Sequence, residues 1–192
     1  ATAYARSGPI PFFLIEGYYD GESATVADCR RQAYVPLLSG ACGHLFGNAP
    51  IWSFGYNPIN GTSLGVDKAL SQGLSTTATL QMAYVRQLFE AFEWWKLAPS
   101  TGTALVTTSL GSGTSRICPA LASDGSFAMI WKPASGSVTV DLSALKPSKV
   151  RARFYDTTDG TYSTVTGSPF SNSGTQSFSW SGEAILVLDA DP

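Results

Sequence analysis

Charge, cysteine and histidine are all scarce in this 192-residue chain. Only 14% of residues are charged, 12 Lys and Arg against 14 Asp and Glu, so no basic field exists to attract nucleic acid or anionic lipid. Split near residue 98, each half holds six basic and seven acidic side chains, and neither half is a charged tail. Cys29, Cys42 and Cys118 are too few for a disulfide framework and lack metal-ligand spacing. Cys29 and Cys42 stand among apolar neighbours and are expected to be buried free thiols. His44, the single histidine, excludes an all-histidine metal site. No apolar run nears the roughly 20 residues of a membrane span, so no membrane partner is expected. No phosphate loop, dinucleotide fingerprint or calcium loop occurs, and no cofactor or metal is expected. The Gly111-Ser112-Gly113 run reads as a turn. The chain opens on Ala1 rather than methionine, which leads us to expect a preceding segment. Low charge and a Ser/Thr/Gly-rich second half suit a secreted, extracellular protein, and the sequon Asn60-Gly61-Thr62 adds little to that.

What the chain does have is the run Pro11-Phe12-Phe13-Leu14-Ile15-Glu16-Gly17-Tyr18-Tyr19-Asp20. A continuous apolar run suits a parallel strand covered on both faces. A carboxylate at its carboxyl end would point into the mouth of an α/β barrel, where catalytic groups sit. Next, Thr25–Leu38 has apolar positions for a helix, with Pro36 predicting a kink or early end. Gly40–Phe46 reads as a second strand, followed by a loop over about 47–65 whose length suggests function. From Ser75 to Trp95 the pattern is helical, with Leu80, Tyr84, Leu88 and Phe92 at steps of four. Leu97–Gly102 then punctuates the chain.

Beyond residue 102, short β-rich runs alternate with turn clusters. Strands are expected over 104–108, 116–121, 127–131, 137–142, 150–155, 161–165, 176–180 and 184–188, a small antiparallel sandwich. The expected division is 1–98 and 99–192. The fold class is therefore α/β plus all-β: the last two βα units of a (β/α)8 barrel, then a β-sandwich. A complete barrel needs eight units and about 250 residues. Two units leave apolar sheet edges open, so the rest of the barrel, from the same protein or an associated chain, is an expected partner.

Glu16-Gly17-Tyr18-Tyr19-Asp20 resembles the Glu-x-x-Tyr-Glu/Asp motif of the apiosidase-like glycoside hydrolases. Arg30–Tyr34, Leu37–His44, Phe46-Gly47, Trp52 and the helix carrying Gln81-Met82 and Leu88 extend the likeness. Asp124–Ala128 and Val138–Ser143 are similar to the sandwich that follows the barrel in that family, a module labelled collagen-binding. The resemblance implies a retaining glycoside hydrolase acting on plant or microbial polysaccharide, with furanosides at branch points as one option. It places Glu16 at the nucleophile position ending strand seven. The acid/base carboxylate that ends strand four has no counterpart here, so the chain alone is expected to be catalytically incomplete.

Retaining cleavage needs two carboxyl groups about 5–5.5 Å apart, one attacking the anomeric carbon and one shuttling the proton. Glu16 suits the first role beside donors such as Tyr19; the alternative is a carboxylate that merely caps a buried strand. Asp20 either binds sugar hydroxyls, orients its neighbours or is simply solvated, and Glu22 follows too closely to be the partner. His44 and Asn48, on the rim of the second strand, are candidate sugar contacts, although a lone histidine is often a satisfied core group. Trp52, Phe54 and Tyr56 stand at steps of two on the loop, with Trp52 the preferred stacking platform for a sugar. Trp94 and Trp95 are expected to be buried at the domain junction. A different reading makes the sandwich a carbohydrate- or matrix-binding module beside a non-catalytic barrel remnant, with Trp131, Tyr155, Tyr162 and Trp180 as its aromatics.

Overall fold

The computed structural model describes residues 10–22, 24–53 and 70–190. Phe54, Tyr56 and the Asn60 sequon lie outside them. Among the described residues there are four α-helices: α1 (Val26–Leu38), α2 (Ala49–Trp52), α3 (Leu70–Gly73) and α4 (Thr77–Glu90). A capping box starts α1: Thr25 Oγ1 accepts from the Asp28 amide, and Asp28 Oδ2 accepts from the Thr25 amide. Pro36 falls in the last turn, where the helix continues two residues past it before Ser39 caps it. Thr76 caps α4 through the Thr79 amide.

The buried stripe of α4 is Ala78, Gln81, Val85, Leu88 and Phe89, whereas Leu80 is exposed. A strict step of four advances about 400° at 3.6 residues per turn, so the row that starts at exposed Leu80 turns onto the buried face only at Leu88. The alternating steps of three and four stay on it.

Nine strands follow: β1 (Leu97–Pro99), β2 (Cys118–Ala122), β3 (Ala128–Lys132), β4 (Gly136–Asp141), β5 (Lys149–Asp156), β6 (Tyr162–Thr164), β7 (Phe170–Ser171), β8 (Thr175–Trp180) and β9 (Ala184–Ala190). The main sheet runs β1-β2-β3-β9-β5-β6, with β7 also on β5, and every pairing is antiparallel. A second layer is the β4–β8 pair, flanked by residues 105–107 through a Val106–Val140 bridge. Within the stretch expected to break the chain, Leu97–Pro99 forms edge strand β1, where a proline costs no ladder bond.

Both faces of the main sheet are covered. On one side Met129, Trp131, Ile185 and Val187 pack against Ala33, Tyr34 and Leu38 of α1 and Val85, Leu88 and Phe89 of α4. On the other, Ala128, Ile130, Leu186 and Leu188 pack against Val138, Val140 and Phe178 of the β4–β8 layer. An ion pair pins the same junction. Arg30 reaches Glu183 through Nε (2.8 Å) and Nη2 (3.1 Å), and its Nη1 donates to Gln81 Oε1 (2.7 Å). Gln81 in turn donates to the Thr158 carbonyl (3.1 Å), and Thr157 Oγ1 to Glu183 Oε1 (2.8 Å).

The two segments expected as barrel strands run parallel but form only isolated bridges, Leu14–His44 and Asp20–Asn48. Backbone bonds from Cys42 N to Phe12 O (2.8 Å) and Leu45 N to Leu14 O (2.9 Å) hold them together. Phe13, Ile15 and Leu45 are exposed. Cys42 is exposed too, contrary to its apolar surroundings in sequence, because no described residue covers this pair of segments on that side; Cys29, on the buried face of α1, is buried, and burial pushes its thiol up to about 11. Trp95 also departs from expectation: it is exposed on a 3-10 turn while Trp94 packs at the helix–sheet core.

Candidate active site

The loop after Leu14 is held from two sides. Gln32 of α1 clamps the Tyr18 peptide, its Oε1 accepting from Tyr18 N (2.6 Å) and its Nε2 donating to Tyr18 O (3.1 Å). A side chain at Gly17 would fall on that amide, so the clamp requires glycine. From the other side, Asp20 N donates to Gly47 O and Ala49 N to Asp20 O, both 2.9 Å. Gly47 lies against the Tyr19 ring, where a Cβ would come within 2.9 Å of it.

These constraints build a cavity of about 340 Å³. Among its described lining residues Glu16 alone bears a carboxylate, with Ile15, Leu45, Phe46 and Ile51 as apolar walls and Trp52 also in the lining. Tyr19 Oη donates to Glu16 Oε1 at 3.3 Å. The carboxylate raises the Tyr19 pKa by its charge first, keeping the phenol protonated and donating. The Tyr19 and Trp52 rings meet edge to face, centroids 6.2 Å apart. An acceptor carboxylate, an oriented phenol and a half-exposed indole in one concavity can engage a neutral polyhydroxylated ligand through hydrogen bonds and ring contact.

Of the six residues expected at the site, the structure brings Glu16, Tyr19, Asn48 and Trp52 to this cavity. Asp20 is buried beneath it: its Oδ2 accepts from Thr76 Oγ1 (2.6 Å) and Asn48 Nδ2 (3.3 Å). Asn48 is committed as well. Its Nδ2 also faces Gly73 O (3.1 Å) and Thr79 Oγ1 (2.9 Å), and its Oδ1 caps α2 through Ile51 N (3.1 Å). Both residues therefore position the loop rather than present free groups. His44 does not line the cavity; burial lowers its pKa, favouring the neutral ring.

Thr76 and Thr79, which tie the N-terminus of α4 to Asp20 and Asn48, escaped sequence reading. The signal was only a Ser/Thr-rich helix start, which reads as an ordinary cap. In the sheet, Trp131 and Tyr155 are core, and Tyr162 is covered by the Arg153 guanidinium 4.3 Å from its ring. Among the described residues no group of three or more His, Cys, Asp or Glu could hold a metal, and no helix is long and apolar enough to cross a membrane.

Comparison with known proteins agrees with this architecture. Residues 2–96 match the family described as "Apiosidase-like, catalytic domain", and residues 99–189 that described as "Putative collagen-binding domain of a collagenase". One solved structure, a glycoside hydrolase, is 21% identical with a TM-score of 0.87 over 99% of this chain and 44% of its own. A glycoside hydrolase family 5 protein from Bacteroides vulgatus ATCC 8482 is 22% identical with a TM-score of 0.85 over 98% of this chain and 43% of its own. At that identity the likeness establishes the fold, and this chain spans less than half the length of either structure. No curated protein matches the chain. Residues 2–96 of the chain are thus similar to the apiosidase-like catalytic domain family, and residues 99–189 to the second domain family.

Proposed function

We propose that the chain is the C-terminal portion of a retaining glycoside hydrolase, in which Glu16 is the nucleophile. The observation that carries this reading is the Glu16 carboxylate, the one carboxylate among the described lining residues, held by Tyr19 in a cavity that Trp52 also lines. In this reading the parallel segments through Leu14 and His44 are the last two strands of a (β/α)8 barrel. Their exposed Phe13, Ile15 and Leu45 are covered by the remaining strands, supplied by the same protein or an associated chain.

Glu16 attacks the anomeric carbon while an acid/base carboxylate from that remainder, about 5–5.5 Å away, protonates the leaving oxygen. Water then attacks the anomeric carbon of the glycosyl–Glu16 ester while the acid/base carboxylate, now a base, takes its proton, and Glu16 leaves as a free carboxylate. Tyr19 stabilises the nucleophile's charge and keeps its reactive oxygen in place. Trp52 stacks on the sugar face, and Asp20 with Asn48 holds the loop in register. The apiosidase-like family description makes a branched furanose the first substrate to test, within plant or microbial polysaccharide; the environment is extracellular.

The test is sugar release from apiose-containing pectic polysaccharide by the chain joined to its barrel complement. Glu16→Gln should lower the rate by at least about 10³-fold. Glu16→Gly with added azide should recover turnover and yield a glycosyl azide of inverted configuration. Equal activity in wild type and Glu16→Gln would remove Glu16 from the chemistry.

A further inference from the structure

The antiparallel part of the chain has its own cavity, about 360 Å³ in volume, between the ends of β5, β6 and β8. That size lies at the lower end of the roughly 300–1,000 Å³ of small-molecule sites. Phe154 and Trp180 supply its apolar wall, their rings 5.0 Å apart and tilted by 40°. Lys132 Nζ sits 5.2 Å from the Trp180 ring centroid, so a cation and a second ring fix the indole before any ligand arrives. The indole Nε1–H is buried with no acceptor among the described residues, an arrangement native proteins seldom leave unexplained.

The polar wall divides into committed and free groups. Glu183 is taken by Arg30 and Thr157, and Asp156 Oδ1 by the amide and hydroxyl of Thr158. Asp156 Oδ2 and the hydroxyls of Ser163 and Ser179 make no hydrogen bond to other described residues. The groove thus offers two rings, two free hydroxyls and one free carboxylate oxygen, with no cationic side chain among its described lining residues.

We propose that this groove is a second saccharide site, selective for neutral sugars and independent of the Glu16 cavity. Ring C–H faces would pack on the Trp180 and Phe154 edges. Sugar hydroxyls would donate to Asp156 Oδ2 and exchange hydrogen bonds with Ser163 and Ser179. The Asp156 carboxylate would repel a uronate, which sets the neutral preference. Such a site would hold a polysaccharide by the antiparallel part of the protein, raising its effective concentration at a catalytic cavity elsewhere on the chain.

The test is calorimetric titration of the whole chain with arabinohexaose, xylohexaose, cellohexaose and mannohexaose, with hexagalacturonate as the acidic comparison. At least one neutral hexasaccharide should bind with millimolar or tighter affinity, and hexagalacturonate at least about tenfold more weakly. Trp180→Ala should weaken binding about tenfold or more. Because Trp180 also packs on the core, Ser179→Tyr is the cleaner variant: it fills the groove from an exposed strand position and should abolish binding while leaving the unfolding midpoint in place. No heat from any neutral saccharide up to about 10 mM would overturn the proposal. So would unchanged binding in Ser179→Tyr, or binding lost in Trp52→Ala and kept in Ser179→Tyr, which would assign the sugar to the other cavity. None of these outcomes bears on the Glu16 rate assay, so the two readings fail separately.

Discussion

Strand β9 and the segment Phe12–Ile15 have nearly the same apolar composition and opposite surroundings. In β9, Ile185 through Leu188 are fully buried, odd residues against the helices and even residues against the β4–β8 layer. In the other segment, Phe13 is 49% exposed and Ile15 67%, and among the described residues its backbone pairs only with the parallel stretch through His44. A continuous apolar run therefore reports two covered faces, not strand direction. β9 is antiparallel to both neighbours and finds its cover within the chain; Phe12–Ile15 carries the same signal without the cover.

The largest test of this contrast is at the junction that joins the halves. Arg30→Ala leaves Glu183 with little exposure and without its bidentate partner, and also frees Gln81. Breaking a buried pair in this way costs about 3–5 kcal/mol. Denaturant unfolding followed by tryptophan fluorescence should show that loss. Arg30→Met combined with Glu183→Met should recover most of it, since the desolvation cost of the charges goes too. A loss below about 1 kcal/mol in Arg30→Ala would mean that the helices and the sheet are held by apolar packing alone.

Next in size is the direct comparison of the two apolar runs. Leu186→Ala, in the middle of β9, should cost about 2–5 kcal/mol. Phe13→Ser should stay within about 0.5 kcal/mol in the isolated chain, as at other exposed positions. Joined to its barrel complement, Phe13→Ser should become costly, because there the side chain would be buried. Equal costs for the two substitutions in the isolated chain would show that the first segment already has its full cover.

The antiparallel half was legible because its signals are local. Turn clusters such as Ser123-Asp124-Gly125 and Asp159-Gly160 bound the strands, and seven of the eight expected runs appear as strands within two residues at either end. The eighth, 104–108, makes only a single bridge at Val106, since it borders β4 over a short stretch. Not legible was which face each run presents to the helices, because that depends on layers distant in sequence. The Arg30–Glu183 pair spans 153 positions, and no periodicity announces it.

The site shows the same division. Glu16, Tyr19 and Trp52 could be read from a motif, as each is tied to a strand end or a loop rim. Asp20 could be placed near them but not assigned its burial, because its partner Thr76 lies 56 positions on. Thr76→Ala tests that link. It removes both the cap of α4 and a donor to a buried carboxylate, and should cost about 1–2 kcal/mol. If Asp20 positions the loop, the same substitution should also weaken the Tyr19–Glu16 hydrogen bond, seen as a lowered Tyr19 titration midpoint by NMR.

The smallest expected effect comes from His44, whose bridge to Leu14 is the seam of the first half. Desolvation lowers its pKa below the ordinary value of about 6.5, so the folded state favours the neutral ring. Above that value both folded and unfolded chains carry a neutral imidazole and the residue adds no pH dependence. As pH falls below it, the unfolded chain takes up the proton first, so stability declines until the folded pKa is passed. The carboxylates held down by their hydroxyl and amide partners, Asp28, Asp141 and Asp159, act in a lower window, through the folded pKa values depressed below that of a free carboxylate. A fall in the unfolding midpoint between pH 7 and the carboxylate range, abolished by His44→Gln, would isolate the histidine. The imidazole proton shifts of this single histidine give its folded pKa directly. A value at or above that of a free histidine would mean that the Leu14–His44 seam is open to water, and with it the floor of the first half.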